Sequence, residues 1–157
     1  CQGSDWPDSD IMEQAGLRVE RVVSLGQMYT MLQSGDCDYL PRGVHEITAE
    51  MLQHPSTELA ISERVVLNYP IPLYFFTRKE DESLAKRIEL GLTRMIADGS
   101  FLAHLKSHTA TESAFNLPQL SKSVFIELDN PLLPPGTPVE NKDLWMAYNA
   151  IVNAVGD

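Results

Sequence analysis

The sequence predicts an α/β fold built on a small parallel sheet. Short apolar stretches at residues 1–2, 17–23 and 37–40 have the character of strands, and segments with helical spacing separate them. Strands that are joined through helices run parallel, with right-handed crossovers. We therefore expect residues 1–2 to lie between the other two strands. The turns that follow the strands should meet at one edge of the sheet, where ligands bind in open α/β folds.

Helix signals fill the spaces between these predicted strands. Asp8 or Ser9 is a candidate N-cap for a first helix, and Gly16 is placed to end it in the left-handed conformation. Apolar residues recur at helical spacing over residues 25–32, and Gly35 is placed to end that second helix. A predicted strand follows closely after each of these glycines, as a strand-helix-strand pattern requires.

The second half of the chain is less regular, apart from one long amphipathic helix. Asp81 is its predicted N-cap, and Gly99 is placed to terminate it. The apolar stripe of this helix consists of Leu84, Ile88, Leu92 and Met95. The other expected elements are helices at residues 44–52, at 101–108 and from 141 or 142 to 155, and strands at 64–67, 73–76 and 124–126.

Charge and composition exclude several classes of function. The chain has 157 residues, with 12 basic and 22 acidic side chains and a formal net charge of -10. Such a field repels phosphate backbones, so we expect no nucleic-acid partner. No apolar run approaches the roughly 20 residues that span a bilayer. Cys37 is expected to be a small buried apolar residue, and two cysteines leave the redox compartment open.

The sequence carries no recognised catalytic or metal-binding signature. A P-loop, a dinucleotide fingerprint and a paired CxxC motif are all absent. His104 and His108 have the spacing of two metal ligands on a helix, but no third ligand accompanies them. We therefore expect a protein that is not an enzyme, with no catalytic residue, no metal and no cofactor.

The turn after the first predicted strand is the first candidate ligand site. Gly3 allows a ligand to approach the backbone, and Ser4 and Asp5 precede the free N–H groups of a helix start. Trp6 is placed either to stack on a ligand or to cover the core. The same residues are also compatible with an ordinary capped turn.

Arg42 is the second candidate, because it follows the third predicted strand at a position with no evident structural role. A guanidinium there could hold a carboxylate through two hydrogen bonds. The alternative is a surface arginine paired with Glu46, and the sequence leaves both open. Gly43 and Glu46 complete the candidate ligand-binding residues.

Several segments resemble bacterial periplasmic solute-binding proteins of the polar amino-acid type. QGS at residues 2–4, MYTMLQSGDCD at 28–38 and YFFTRK at 74–79 are similar to segments of that family's second lobe. A subgroup of transporter substrate-binding-domain proteins is similar in further segments. These are WPD at residues 6–8, DYLPRGVHE at 38–46, YPIPLYFF at 69–76 and LDNPLLPP at 128–135.

The resemblance implies a parallel-sheet lobe of a Venus-flytrap fold, in which two α/β lobes close on a ligand. Residues 1–76 would form the second lobe, and residues 77–157 a return segment with helices and a C-terminal extension. The family's first lobe has no counterpart in this sequence. Without it, the stripe of the long helix should repack on the second lobe or drive association into a homodimer or swapped dimer.

The same resemblance implies a periplasmic protein that binds a small polar solute and serves a membrane component of an ABC transporter. Gly43 stands where the family's amino-acid binders end the third strand with an aspartate. This departure points to an acidic or uncharged solute as well as an amino-acid-like one. The alternatives are the extracellular sensor domain of a membrane signalling protein and a dehydratase-type enzyme that uses Glu46 as an acid or base.

Overall fold

A computed structural model describes residues 1–55, 59–145 and 151 of the chain. It confirms an α/β fold with parallel strands, arranged as two small two-stranded sheets. The strands are β1 (Gln2–Gly3), β2 (Arg21–Val22), β3 (Val65–Asn68) and β4 (Val124–Glu127). The helices are α1 (Pro7–Gln14), α2 (Leu25–Ser34), α3 (Ile47–Gln53), α4 (Glu82–Ala97) and α5 (Ser100–Ser107), followed by short 3-10 turns at Glu112–Phe115 and Pro118–Lys122.

The first sheet joins β1 and β2, and their parallel pairing is the one the sequence predicts. Gln2 lies opposite Arg21, and Gly3 lies opposite Val22. The crossover between them is α1, whose Ile11 is fully buried, and Met28 of α2 is fully buried as well. These apolar side chains hold the two helices against a very short sheet.

The prediction of a strand at residues 37–40 is wrong, although this segment does lie beside residues 1–2 as expected. The backbone N–H groups of Asp36 and Cys37 both donate to the carbonyl of Met31, so they end α2 instead of starting a ladder. The nitrogen of Cys1 donates to the Tyr39 carbonyl at 2.9 Å. The Gln2 N–H bonds toward β2, and the N–H groups of neighbouring residues in a strand point to opposite edges. The Cys1 nitrogen therefore points away from β2, and the segment that it contacts lies along the other edge of β1.

A disulfide reinforces this contact between β1 and the segment after α2. Cys1 and Cys37 are joined, with their Cα atoms 5.7 Å apart, within the usual range for a disulfide. Cys37 is buried, as expected, but it is a cross-link and not an isolated apolar residue.

The second sheet pairs β3 with β4 in parallel, with Val65 opposite Val124. The predicted strands at 64–67 and 124–126 are therefore confirmed to within one residue. Leu117 and Leu120 are buried beside this sheet. The pairing connects the two predicted regions, 1–76 and 77–157, and the division between them stays a prediction.

The predicted strand at residues 73–76 is not formed, and these side chains face solvent. Leu73 is 96% exposed and Phe76 is 93% exposed. A strand that is apolar on both faces forms only where both faces are covered. Among the described residues, no strand pairs with this segment, so it has nothing to join.

Helix boundaries are confirmed where a local cap sets them. The Asp81 side chain accepts from the backbone N–H of Leu84, and Gly99 follows α4 with φ 79°. Gly35 ends α2 in the left-handed conformation. The element against which α4 packs most is α5, and Leu84 of its stripe stays exposed, so the expected repacking on the second lobe has no support and the expected association stays a prediction.

Two other helices depart from the expected boundaries. The first helix begins at Pro7, with Trp6 as its N-cap; Asp8 and Ser9 therefore lie within it, and the Ser9 hydroxyl donates to the Gly3 carbonyl instead. The third begins at Ile47, later than expected, because a turn at Gly43 precedes it. Residues 142–145 form turns, and most of the predicted final helix lies outside the described residues. Within those residues, no helix has the length and apolar character needed to cross a membrane.

Candidate functional site

Gly3 closes β1 beneath the indole of Trp6. The Ser4 N–H continues the β2 ladder to the Val22 carbonyl, and the Trp6 N–H turns back to the Gly3 carbonyl at 3.2 Å. A Cβ at residue 3 would lie 2.6 Å from Trp6 Cε2, which is a severe overlap. The close contact with Trp6 therefore accounts for glycine at this position, and its part in a ligand site stays a prediction.

Gly3→Ala should displace the Trp6 indole and destabilise the protein by about 1–3 kcal/mol, the usual cost of overpacking. Chemical denaturation measures the loss, and tryptophan emission reports the displacement. Gly26→Ala is the matched control, because a Cβ there meets nothing within 4 Å. Equal stabilities for the two variants would contradict the packing of Trp6 on Gly3.

Arg42 contacts both the Trp6 indole and Glu50. Its guanidinium carbon lies 4.9 Å from the centre of a Trp6 ring. Its Nε donates to Glu50 Oε2 at 2.9 Å, and its Nη2 donates to Glu50 Oε1 at 2.6 Å. Glu50 thus accepts the two hydrogen bonds that Arg42 was expected to donate to a ligand carboxylate.

Arg42 also forms the alternative ion pair that the sequence left open. Its Nη2 lies 3.1 Å from Glu46 Oε2, and its side chain is only 12% exposed. The same Glu46 oxygen accepts from the Gly43 N–H at 3.0 Å. A Cβ at residue 43 would lie 2.9 Å from that oxygen, so Gly43 allows this close turn.

Sequence reasoning missed two members of this group, Glu50 and Tyr29. The Tyr29 hydroxyl donates to Glu50 Oε2 at 2.7 Å, and its ring lies against His54 at 4.2 Å between centroids. Glu50 follows Glu46 by four residues and therefore shares its helix side, which was an available signal. Tyr29 lies on α2, far away in sequence, and no local pattern indicates its contact.

Trp6, Tyr29, Arg42, Glu46 and Glu50 are called the Arg42 cluster below. Of the predicted site residues, the structure brings together Trp6, Arg42, Gly43 and Glu46. Ser4 and Asp5 are exposed, and no hydrogen bond or ion pair in the described part of the chain joins either of them to the cluster.

The electrostatics of the cluster follow from one guanidinium facing two carboxylates. Hydrogen bonds from Arg42, offset in part by burial and reinforced by Tyr29, hold the pKa of Glu50 below its usual range. Burial, together with the hydrogen bond to Glu50, raises the pKa of Tyr29 to about 12. Glu50 is thus a charged partner of Arg42 and a weak base at neutral pH.

This lowered pKa predicts a pH-dependent contribution to stability. The free energy of unfolding that depends on the charge of Glu50 should be fully present above its ordinary pKa of 4.5. It should be lost as the pH falls through the lower pKa of the folded state. The difference in stability between wild type and Glu50→Gln should therefore shrink below this value, measured by denaturation at several pH values. A difference that stays constant into strong acid would contradict the ion pair.

The cluster reaches the surface mainly through Glu46, whose side chain is 38% exposed, while the side chains of Arg42 and Glu50 are largely covered. A crevice of about 10 Å³ lies nearby between Leu17, Val19 and Pro41, with room for about one water. Small-molecule sites usually enclose roughly 300–1,000 Å³. A ligand held at the cluster would therefore need a second surface to cover it.

Metal binding has no support within the described residues. No group of three or more histidine, cysteine or acidic side chains is placed to hold an ion there. The rings of His104 and His108 are 5.2 Å apart on α5, remote in sequence from the Arg42 cluster.

Comparisons with known proteins give no match: no family model, no curated protein and no solved structure matches this chain.

Proposed function

We propose that this chain is the ligand-binding lobe of a periplasmic solute-binding protein of the Venus-flytrap type. One observation carries the proposal: Trp6, Arg42 and Glu46 meet where β1 ends, at the carboxyl edge of a parallel pair. In open α/β folds this edge is the usual place for a ligand. A second lobe closing over the exposed side of the cluster would supply a cover for the ligand there.

The ligand we propose is a small polar solute, anionic or amino-acid-like. An anionic group would compete with Glu50 for the guanidinium of Arg42. An amino-acid-like solute would also find an acceptor in Glu46, whose side chain is 38% exposed. The indole of Trp6, which Arg42 contacts, adds apolar surface beside both groups.

The proposed role is binding without catalysis, for delivery to a membrane component of an ABC transporter. Arg42 neutralises Glu50 and is close to Glu46, which suits solute recognition better than proton transfer. A periplasmic location is part of this proposal, and a disulfide between Cys1 and Cys37 suits an oxidising compartment.

A thermal-shift screen with amino acids, dicarboxylic acids and neutral polar solutes tests this proposal. A solute present at about 100 times its dissociation constant adds about 2.7 kcal/mol of stability. At roughly 2–4 °C per kcal/mol for a chain of this size, the shift is easily measured. For an amino-acid-like solute, Glu46→Gln should reduce the shift, because the variant lacks the carboxylate that accepts from the solute. A panel that leaves the melting temperature of the wild type unchanged would contradict a solute site.

A further inference from the structure

The disulfide is the strongest connection between β1 and the segment that leads to Arg42. Between Cys37 and Arg42 the chain lies along the free edge of β1 without forming a strand. Its polar contacts to β1 are the Cys1 nitrogen to the Tyr39 carbonyl at 2.9 Å and Gln2 Nε2 to the Pro41 carbonyl at 3.5 Å. A full ladder of backbone hydrogen bonds is missing between this segment and β1. The disulfide therefore holds the segment to β1, as strand pairing would in a wider sheet.

The two ends of this connection carry the two halves of the Arg42 cluster. Cys1 immediately precedes β1, which leads within a few residues to Trp6. Cys37 is buried and stands five residues before Arg42. From the other side, Arg42 is held by Glu50 of α3 at 2.6 Å. The link between the two segments is thus one of two connections that place the guanidinium over Trp6, and the other is the contact of Arg42 with Glu50, which Tyr29 also holds.

We propose that the Cys1–Cys37 disulfide is a redox-sensitive clamp that places Arg42 on Trp6. When the disulfide is reduced, the segment from 37 to 42 separates from β1 and Arg42 leaves the indole, while its ion pair with Glu50 persists. The clamp controls ligand binding only if the proposed function is correct, whereas its effect on Trp6 does not depend on any ligand.

Reduction by a dithiol supplies the required electrons. One thiolate of the reductant attacks a sulfur of the disulfide, and the other cysteine sulfur leaves and takes up a proton. The second thiolate then releases the remaining cysteine, which is protonated in turn. The disulfide gains two electrons and two protons, and the dithiol is oxidised to a cyclic disulfide.

Tryptophan fluorescence of a Trp145→Phe variant tests the clamp, because Trp6 is then the single emitter of the two tryptophans in the chain. Dithiothreitol should shift the Trp6 emission to longer wavelength and increase its quenching by acrylamide. Thiol titration must show two free cysteines after treatment and none before it. The melting temperature should fall by about 5 °C or more, because the cross-link no longer constrains the unfolded chain.

A variant that combines Cys1→Ser with Cys37→Ser provides the matched control. It should reproduce the emission of the reduced protein and should not respond to dithiothreitol. Far-UV circular dichroism distinguishes local release from global unfolding, and only an unchanged spectrum with shifted emission supports the clamp. Free thiols before treatment, unchanged Trp6 emission after complete reduction, or loss of the whole fold would each overturn it. A positive result without any solute in the thermal-shift screen would refute the proposed function alone.

Discussion

Glu50→Gln should destabilise the protein by about 2–3 kcal/mol, the cost of leaving a largely buried charge without its partner. The side chains of Arg42 and Glu50 are only 12% and 15% exposed. Glutamine keeps the size of the residue and one acceptor for Tyr29, so the loss reports the charge itself. For a chain of this length the melting temperature should fall by roughly 5–10 °C.

Glu46→Gln is the control for this experiment, because it removes a carboxylate from the same guanidinium at a more exposed position. Its cost should be below about 1 kcal/mol, as for other exposed ion pairs. Urea denaturation of both variants gives the two free energies. Equal losses, or a larger loss for Glu46→Gln, would show that Glu50 is not the principal partner of Arg42.

The chain should self-associate through the exposed apolar segment at residues 71–76. Leu73 and Phe76 are almost fully exposed, and contiguous apolar surface of this kind is rare on soluble monomers. Covering one such side chain contributes about 1.5–3 kcal/mol. The combined variant Leu73→Ser and Phe76→Ser should therefore weaken association at least about tenfold.

Sedimentation over a range of concentrations measures this association. Val23→Ser is the matched control, because Val23 is also highly exposed but lies outside the segment. It should leave the association unchanged. A wild-type chain that sediments as a monomer at all concentrations, or equal effects of the two replacements, would exclude this segment as the interface.

The fold was predictable where its cause is local. Asp81, Gly35 and Gly99 set helix ends through contacts within a few residues, so their positions could be deduced from the sequence. The strand at 37–40 was wrong because its first amide, that of Cys37, ends the preceding helix on the Met31 carbonyl. The strand at 73–76 was wrong because its apolar character indicates burial but not whether a partner strand is present.

The candidate site was predictable only in part, for a related reason. The grouping of Trp6, Arg42 and Glu46 follows from the meeting of two chain segments at one sheet edge, which the strand pattern indicates. The principal partner of Arg42 is Glu50, and its choice over Glu46 depends on the turn at Gly43. Tyr29 reaches Glu50 from another helix, and sequence spacing carries no information about such a contact.

Calorimetric titration measures whether the Arg42 cluster binds a small polar solute. The titrant is the solute with the largest thermal shift, and the proteins are wild type, Arg42→Lys and the control Arg78→Lys. Arg78 is also ion-paired, but with an 85% exposed side chain outside the cluster. Lysine retains the charge and loses the planar fork. We expect a loss of affinity of about tenfold or more, or about 1.4 kcal/mol, for Arg42→Lys alone. Equal affinities for all three folded proteins would contradict it.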